Sequence, residues 1–461
     1  MTSLDLRDSD VLVVGLGVSG LAAARALLAR GARVKVTELS DSAAVRERAA
    51  ELEAAGAEVE LGGHRFAAGD VSLAVVSPGI PPHSGALTAL HGQGAEIWSE
   101  VELAYRIGDC TFLAVTGTNG KTTTTSLLAA MLAEAGIRSA AGGNIGLPLV
   151  EAVDAVGPGG VIAVEVSSFQ LATIHEFRAR VAVMLNVAAD HLDYHGDLES
   201  YWSAKARIVE NQTSEDVFVC NLDEPLVMKV AAQAPGRVVT FSATEPGAEL
   251  AVAGESLTWH GRAFASLAQL ALPGRAGIED SLAAAGAALE HGAAPDAVAR
   301  ALASFRPLAH RLTPVATIGG VEYVDDSKAT NPHATLAALR GRADVVLIAG
   351  GRGKGNDLSV LRDAVPPVTA VVALGEAADE IASVFDGLVP VEVVRDMGAA
   401  VRAAAALAIP GGSVFLSPAC ASLDMYTSYS ARGDDFARRV RELATAGSRR
   451  QEGGGDDGGD T

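Results

Sequence analysis

Short Val-rich apolar runs alternate with Ala-rich stretches of helical pattern along almost the whole chain. Strands that are apolar throughout must be covered on both faces. The connecting helices can do this, so the pattern implies α/β layers around mostly parallel sheets. The runs predict strands at 11–15, 34–38, 73–77, 112–116, 161–166, 181–186, 217–221, 321–324, 345–350, 370–374 and 414–417. The helical pattern falls at 18–29, 122–135, 198–210, 278–290, 296–304 and 434–444. Two breaks, at 100–108 and 304–307, divide the chain into units of 1–105, 106–306 and 307–449. About three domains is what 461 residues support. Residues 450–461 carry no apolar side chain and are read as a disordered tail.

Composition excludes several function classes. No uninterrupted stretch of about 20 apolar residues is present, so no membrane span is expected. The first ten residues carry four charges and no apolar core of a secretory signal. A net charge of −20 argues against general nucleic-acid binding, which needs Lys and Arg against phosphate. Three scattered cysteines, Cys110, Cys220 and Cys420, do not make a disulfide framework, and a reduced cytoplasmic setting is expected.

Thr116-Gly117-Thr118-Asn119-Gly120-Lys121-Thr122-Thr123 follows a predicted strand and opens a predicted helix. Main-chain N–H groups at such a helix start face an anion, Lys121 adds a point charge and the Thr122 hydroxyl can hold Mg²⁺. The chain is therefore expected to use a nucleoside triphosphate. Val115 stands where the common phosphate-loop pattern has its first Gly.

Gly15-Leu16-Gly17-Val18-Ser19-Gly20 is a second Gly-rich turn between strand and helix, and Glu38 ends the next strand, 18 residues after Gly20. The pattern suits a diphosphate on a helix N-terminus. It leaves open a nicotinamide dinucleotide, a nucleotide sugar or a bare tight turn. Ser77-Pro78-Gly79-Ile80 closes another strand, at the sheet edge where ligands bind in open α/β folds. Glu165 ends a strand and can either reach a Mg²⁺ at Thr122 or face solvent. Asp190-His191 follows a strand, and Lys205 lies on the helix beyond it. In the third unit, residues 325–331 crowd Asp325, Asp326, Ser327, Lys328, Thr330 and Asn331 into one turn. The crowding suits either ligand binding or a helix N-cap. His310, Arg311 and Lys354 add positive charge nearby in sequence.

Over residues 10–440 this set resembles the Mur ligase family, and within it the D-glutamate-adding members. The resemblance rests on residues 116–123, Gly142-Gly143-Asn144-Ile145-Gly146, Glu165 to Gln170, Asp190-His191, His310-Arg311, residues 325–331 and Leu416-Ser417-Pro418-Ala419-Cys420-Ala421-Ser422. It implies a Rossmann-like N-terminal domain, a central P-loop ATPase-type domain and a C-terminal Rossmann-like α/β domain. The implied reaction is ATP-dependent amide formation between UDP-N-acetylmuramoyl-L-alanine and D-glutamate through an acyl phosphate. This is a cytoplasmic step of peptidoglycan synthesis, carried out by a monomer.

By the same resemblance, Lys121, Glu165, His191 and Lys205 are catalytic. Gly117, Thr118, Asn119, Gly120, Lys121, Thr122, Thr123, Arg311 and Asp326 bind ATP. Thr122, Glu165, His191 and a carbamylated Lys205 hold two Mg²⁺ ions. Gly17, Val18, Ser19, Gly20, Ser77, Pro78, Gly79, Ile80, Asn144, Ser167 and Gln170 take the UDP-substrate. Thr330, Lys354, Ser422 and Tyr429 take D-glutamate.

The chain departs from the family after Leu272-Pro273-Gly274-Arg275. There it has Ala276, Gly277 and Asp280 in place of His, Asn and Asn, which are expected near the adenine. Tyr429 replaces a frequent Phe. Two other classes remain open on the residues alone: a nicotinamide-dependent oxidoreductase, from the first Gly-rich turn with Glu38, and a non-catalytic nucleotide-binding protein.

Overall fold

The computed structural model describes residues 5–68, 71–272, 274–306 and 309–452. Most of the tail, residues 453–461, lies outside them. The chain forms two compact units. Unit 1 comprises 1–187 with 196–306, and unit 2 comprises 188–195 with 307–461.

Unit 1 holds two sheets. The first runs β3-β2-β1-β4-β5, all parallel, from β1 (Asp10–Val14), β2 (Arg33–Glu38), β3 (Glu58–Leu61), β4 (Leu73–Val76) and β5 (Glu96–Ser99). The second contains β6 (Thr111–Thr116), β7 (Ser139–Gly143), β8 (Val161–Glu165), β9 (Val181–Met184), β10 (Val217–Asn221), β11 (Arg237–Ser242), β12 (Leu250–Ala253), β13 (Ser256–Trp259) and β14 (Arg262–Ser266). Its order is β14-β13-β12-β11-β10-β9-β6-β8-β7. It is parallel from β7 across to β12 and antiparallel only through β13 and β14.

Strand β6 explains why this sheet is covered on both sides. Phe112 and Ala114 enter one apolar cluster and Leu113 and Val115 the other, as the two-residue strand period requires. On the second face Leu127, Leu128, Met131 and Leu132 of the helix Lys121–Glu134 meet Ala283, Ala284, Ala287 and Ala288 of the helix Gly274–Glu290. Small side chains let the latter helix lie close to the sheet. A Cβ on Gly286 would come within 2.9 Å of Val219.

The break expected at 100–108 is a helix, Glu100–Ile107, and all its residues but Arg106 are buried. It belongs to the apolar cluster shared by both sheets of unit 1. Tyr105 on it packs against Phe112 and Phe177, with centroids 5.6 and 5.8 Å away. Its two glutamates are anchored by main-chain donors. Glu102 accepts from His175, Glu176 and Phe177 N–H, each at 2.9 Å, and from Arg106 at 2.7 Å. Glu100 accepts from Val150 N–H at 2.8 Å, at the start of the helix Leu149–Val156, while its second oxygen has no partner.

Unit 2 holds one sheet of β15 (Thr313–Ile318), β16 (Val321–Asp325), β17 (Val345–Gly350), β18 (Val368–Leu374), β19 (Val391–Val393) and β20 (Ser413–Leu416). Its order is β15-β16-β20-β17-β18-β19, antiparallel only between β15 and β16. Apolar clusters cover both faces.

Burial pushes the Glu100 carboxyl up to about 7 from 4.5. An acid raised in the folded state binds more protons there than in the unfolded chain. Its contribution to stability therefore declines as pH rises from about 4.5 to about 7 and stays low above. Glu100→Gln removes that titration. Its stability relative to wild type should rise by up to about 3 kcal/mol between pH 5 and pH 8, read from denaturant midpoints. An unchanged difference across that range would refute the assignment.

Candidate functional site

The first Gly-rich turn joins β1 to the helix Val18–Ala29. Its three glycines do different work. Gly15 has φ +94°, and a Cβ there would sit 2.8 Å from Ser77. A Cβ on Gly20 would meet the Gly15 carbonyl oxygen at 1.9 Å, so only glycine lets helix and turn pack. Nothing lies within 4 Å of a Cβ on Gly17, the N-cap residue, and no side chain caps this helix. The start at exposed Gly17 and Val18 and half-buried Ser19 is thus open to an anion. Ser77 donates its hydroxyl to Gly15 O at 3.1 Å, and the turn through Pro78 and Gly79 closes with Ile80 N–H on Ser77 O at 3.1 Å. Glu38 braces the turn from inside. Its two oxygens accept Leu16 N–H at 2.6 Å and Ser40 N–H at 2.8 Å. The carboxylate that, with this turn, left a nicotinamide dinucleotide open is engaged by the protein's own backbone.

The second turn leaves β6 and enters the helix Lys121–Glu134 through Gly120, at φ +86°. Asn186, just after β9, clamps it. Thr118 N–H donates to Asn186 O at 3.0 Å, Asn119 N–H to Asn186 Oδ1 at 2.9 Å, and Asn186 Nδ2 back to Asn119 O at 3.2 Å. Lys121 Nζ donates to the Gly117 and Thr118 carbonyls at 3.0 and 2.9 Å. The helix Leu198–Ala206 presents Tyr201 and Lys205, four residues apart, to the same turn. Tyr201 Oη lies 3.2 Å from Thr118 Oγ1. Lys205, only 1% exposed, donates to Gly117 O at 2.7 Å with its ammonium 4.6 Å from the Tyr201 ring centre. Thr122 is half-buried at the second position of the helix, and Thr123 is buried with no partner for its hydroxyl.

Glu165 ends β8 beside this turn, because β6 and β8 pair with Val115 opposite Glu165. It is 2% exposed, which excludes the solvent-facing alternative. One carboxylate oxygen accepts Asn144 Nδ2 at 2.8 Å, and the other has no partner. A buried, unpaired carboxylate oxygen beside a hydroxyl-rich phosphate turn fits a hard cation such as Mg²⁺, which takes few protein ligands and keeps phosphate or water as the rest. Ser167 and Gln170 form a reciprocal capping box at the helix Ser168–Leu171, so their placement is fixed by each other.

Unit 2 gathers a separate polar cluster. Asp190, 4% exposed, accepts Lys354 Nζ at 2.7 Å, Asn331 Nδ2 at 3.0 Å, Asn356 Nδ2 at 3.4 Å and His191 N–H at 2.9 Å. Burial opposes its charge, but Lys354 and His191 together with the hydrogen bonds hold the carboxyl down at about 2. His191 adopts φ +55° and Lys354 φ +56°. Asn331 also caps the helix Pro332–Leu339, so the turn 325–331 is in part the N-cap loop that its composition allows.

Asp325 pairs with His310 Nδ1 at 2.7 Å. Asp326 is buried, accepting Ser417 Oγ at 2.8 Å and Leu312 N–H at 3.2 Å. Burial pushes it up to about 7 against the pull of Ser417 and the half-buried Arg311. Tyr429 takes Lys328 on its hydroxyl at 3.3 Å and its ring at 4.4 Å, a use for the hydroxyl that Phe lacks. Thr330 is half-buried. Ser422 is buried, with its carbonyl accepting Met425 and Tyr426 N–H.

Sequence reasoning missed Asn186, Tyr201, Asn356 and Arg432. Arg432 is 3% exposed and donates to Ser327 Oγ and to the carbonyls of Ser327, Gly350 and Cys420 at 2.8–3.3 Å, tying three loops together. The only available signal was Asn186 at a strand end beside the phosphate strand.

Three family models match in order: the Mur ligase MurD-like N-terminal domain over 9–99, the Mur ligase middle domain over 115–288 and the Mur ligase glutamate ligase domain over 310–420. A UDP-N-acetylmuramoylalanine–D-glutamate ligase of Frankia casuarinae is 48% identical, covering 95% of each chain. One of Thermobifida fusca is 42% identical, covering 96% of this chain and all of the relative. Among solved structures, the UDP-N-acetylmuramate–alanine ligase of Thermotoga maritima aligns with a TM-score of 0.59 at 19% identity over 94% of this chain and 99% of that one. At that identity the likeness concerns the fold.

The Asp190 cluster generates a stability test. A carboxyl lowered from 3.8 to about 2 contributes stability that is full above pH 3.8 and lost as pH falls through 2. At pH 7 Asp190→Asn should therefore destabilise the protein by about 2 kcal/mol, by leaving Lys354 without its counter-charge. Adding Lys354→Met should recover at least half of that loss in denaturant unfolding. Additive losses would mean the pair is not coupled.

Proposed function

The chain belongs to the Mur ligase family, and from that premise we propose that it joins D-glutamate to UDP-N-acetylmuramoyl-L-alanine, with ATP converted to ADP and phosphate. The observation that carries the reading is the 48% identity to a ligase of that name over 95% of both chains. The geometry of unit 1 supports it: a phosphate turn, a buried cation at Lys205 and a carboxylate oxygen without a partner meet at one sheet edge.

A carboxylate is a poor electrophile at neutral pH. In the first step its oxygen attacks the γ-phosphorus of ATP, the bond to the β-phosphate oxygen breaks and ADP leaves. In the second, the D-glutamate amine attacks the acyl carbon, the bond to the phosphate oxygen breaks, and the amine gives up a proton as the amide forms. Both steps bring anions together, so the site must supply positive charge that is fixed in advance. Lys121 and the N–H groups of the helix Lys121–Glu134 supply it at the transferring phosphoryl group.

Mur ligases use ATP and Mg²⁺. Thr122 and Glu165 are the residues we assign to one ion, and Glu165, His191 and Lys205 to a second. When bound, Mg²⁺ draws charge from the phosphate oxygens. For Lys205 we propose addition of CO₂ to the neutral amine with loss of one proton, giving a carbamate that carries oxygen where the ammonium now lies on Gly117 O.

In this reading residues 1–105 bind the UDP-substrate through Gly17, Val18, Ser19, Gly20 and residues 77–80. Asn144, Ser167 and Gln170 lie toward the same substrate. Residues 106–306 bind ATP, with Arg311 and Asp326 contributing from the third domain. Residues 307–449 bind D-glutamate through Thr330, Lys354, Ser422 and Tyr429. No helix among the described residues is long and apolar enough to cross a membrane. The reaction belongs to the cytoplasmic stage of peptidoglycan precursor synthesis.

ADP and phosphate should be released only when UDP-N-acetylmuramoyl-L-alanine and D-glutamate are both present. Release that ignores D-glutamate, or none with folded protein, would sink the reading. Lys121→Ala should lower turnover by at least about 1,000-fold with UDP-substrate affinity retained, measured by calorimetry. Lys205→Ala should be inactive and partly rescued by added short carboxylates. No rescue would count against the carbamate.

A further inference from the structure

Asp280 lies in the helix Gly274–Glu290 at 5% exposure, at one of the three positions read in the sequence as departing from the family pattern. Its position explains a constraint on the phosphate turn. Thr124, fully buried in the first turns of the helix Lys121–Glu134, donates its hydroxyl to Asp280 Oδ1 at 3.3 Å. A Cβ on Gly120 would come within 2.2 Å of that same oxygen and 3.3 Å of Asp280 Cγ. The carboxylate therefore presses against the N-terminal end of the helix whose N–H groups serve the phosphates, on the residue that ends the turn.

Two consequences follow from that placement. The contact fixes the turn, because Thr124 is tied by one side chain from another element and the same carboxylate leaves no room for a side chain at Gly120, φ +86°. A carboxylate at a helix N-terminus is also attracted by the same positive end that attracts phosphate, and so opposes a second anion there. An Asn of equal shape would keep the acceptor for Thr124 without the charge.

We propose that Asp280 is a positioning residue for the phosphate turn and that its charge sets nucleotide affinity below what a neutral side chain would give, favouring release of ADP after each turnover. The proposal rests on the reading that this turn holds ATP.

The test is calorimetric titration of the full-length enzyme with Mg-ADP, alongside steady-state kinetics in ATP. Asp280→Asn should bind ADP about 3- to 10-fold more tightly than wild type and show a lower KM for ATP. Asp280→Ala, which also loses the Thr124 contact, should bind ADP more weakly than Asp280→Asn. If Asp280→Asn binds ADP no more tightly than wild type, the charge effect is overturned. If Asp280→Ala and Asp280→Asn bind alike, the positioning role is overturned. Should Asp280→Ala fail to fold, Thr124→Val removes the same contact from the other side and carries the second comparison. Wild-type enzyme that binds neither ADP nor ATP would instead overturn the nucleotide reading itself.

Discussion

The parallel pairing of β6 with β8 is the constraint on which the site of unit 1 depends. It sets Val115 opposite Glu165, so the chain leaves β6 into the phosphate turn at the same edge where β8 ends in a carboxylate. Pairing of β6 with β9 on its other side brings Asn186 to that edge, where it clamps the turn. A one-residue slip of either strand would send alternate side chains to the opposite apolar cluster, so the two cores that sandwich β6 also fix the register of the site. The geometry of the turn is inherited from the packing of Phe112, Leu113, Ala114 and Val115 rather than from the polar residues alone.

Several buried and half-buried charged groups in this protein are matched to main-chain atoms. Glu102 receives three successive N–H groups, Glu38 two and Glu100 one. Lys121 and Lys205 lie on carbonyls of the phosphate turn, and three of the four acceptors of Arg432 are carbonyls. Loops cannot satisfy their own polar groups inside a fold, and a charged side chain from elsewhere makes strong hydrogen bonds to them. Other buried carboxylates are matched to charged side chains, as Asp216 is to Arg178 and Arg180 and Asp190 to Lys354. The Asp190 cluster also contains two backbone positions at positive φ, His191 and Lys354.

This division explains what the sequence made legible. Strands such as β6, β8 and β17 are apolar at nearly every position and stand out, and the helix Val18–Ala29 was legible to the residue. β7 did not, because Ser139-Ala140-Ala141-Gly142-Gly143 has no strand-forming side chain and owes its conformation to pairing with β8. The hairpins through β12, β13 and β14 were missed for another reason. Their strands are four or five residues long with mixed exposure, so no period is established. The helix Glu100–Ile107 looked like a break because Glu100 and Glu102 suggest solvent, and only the N–H groups of distant segments make their burial tolerable.

Much of the candidate site hid behind the same ambiguity. Lys205 has the composition of a surface residue on an ordinary helix, and nothing local distinguishes it from one. What buries it is Tyr201 one turn earlier and the Gly117 carbonyl 88 residues away. Gly-rich turns are readable because their chemistry is local: Gly15 and Gly20 are required by contacts with Ser77 and with the turn itself. Gly120 belongs to both classes. Its positive φ is a local demand, but the atom that would meet its Cβ first is the carboxylate of Asp280, 160 residues further along. A phosphate turn can therefore be recognised from eight consecutive residues. Its charge balance depends on residues that only the fold brings to it.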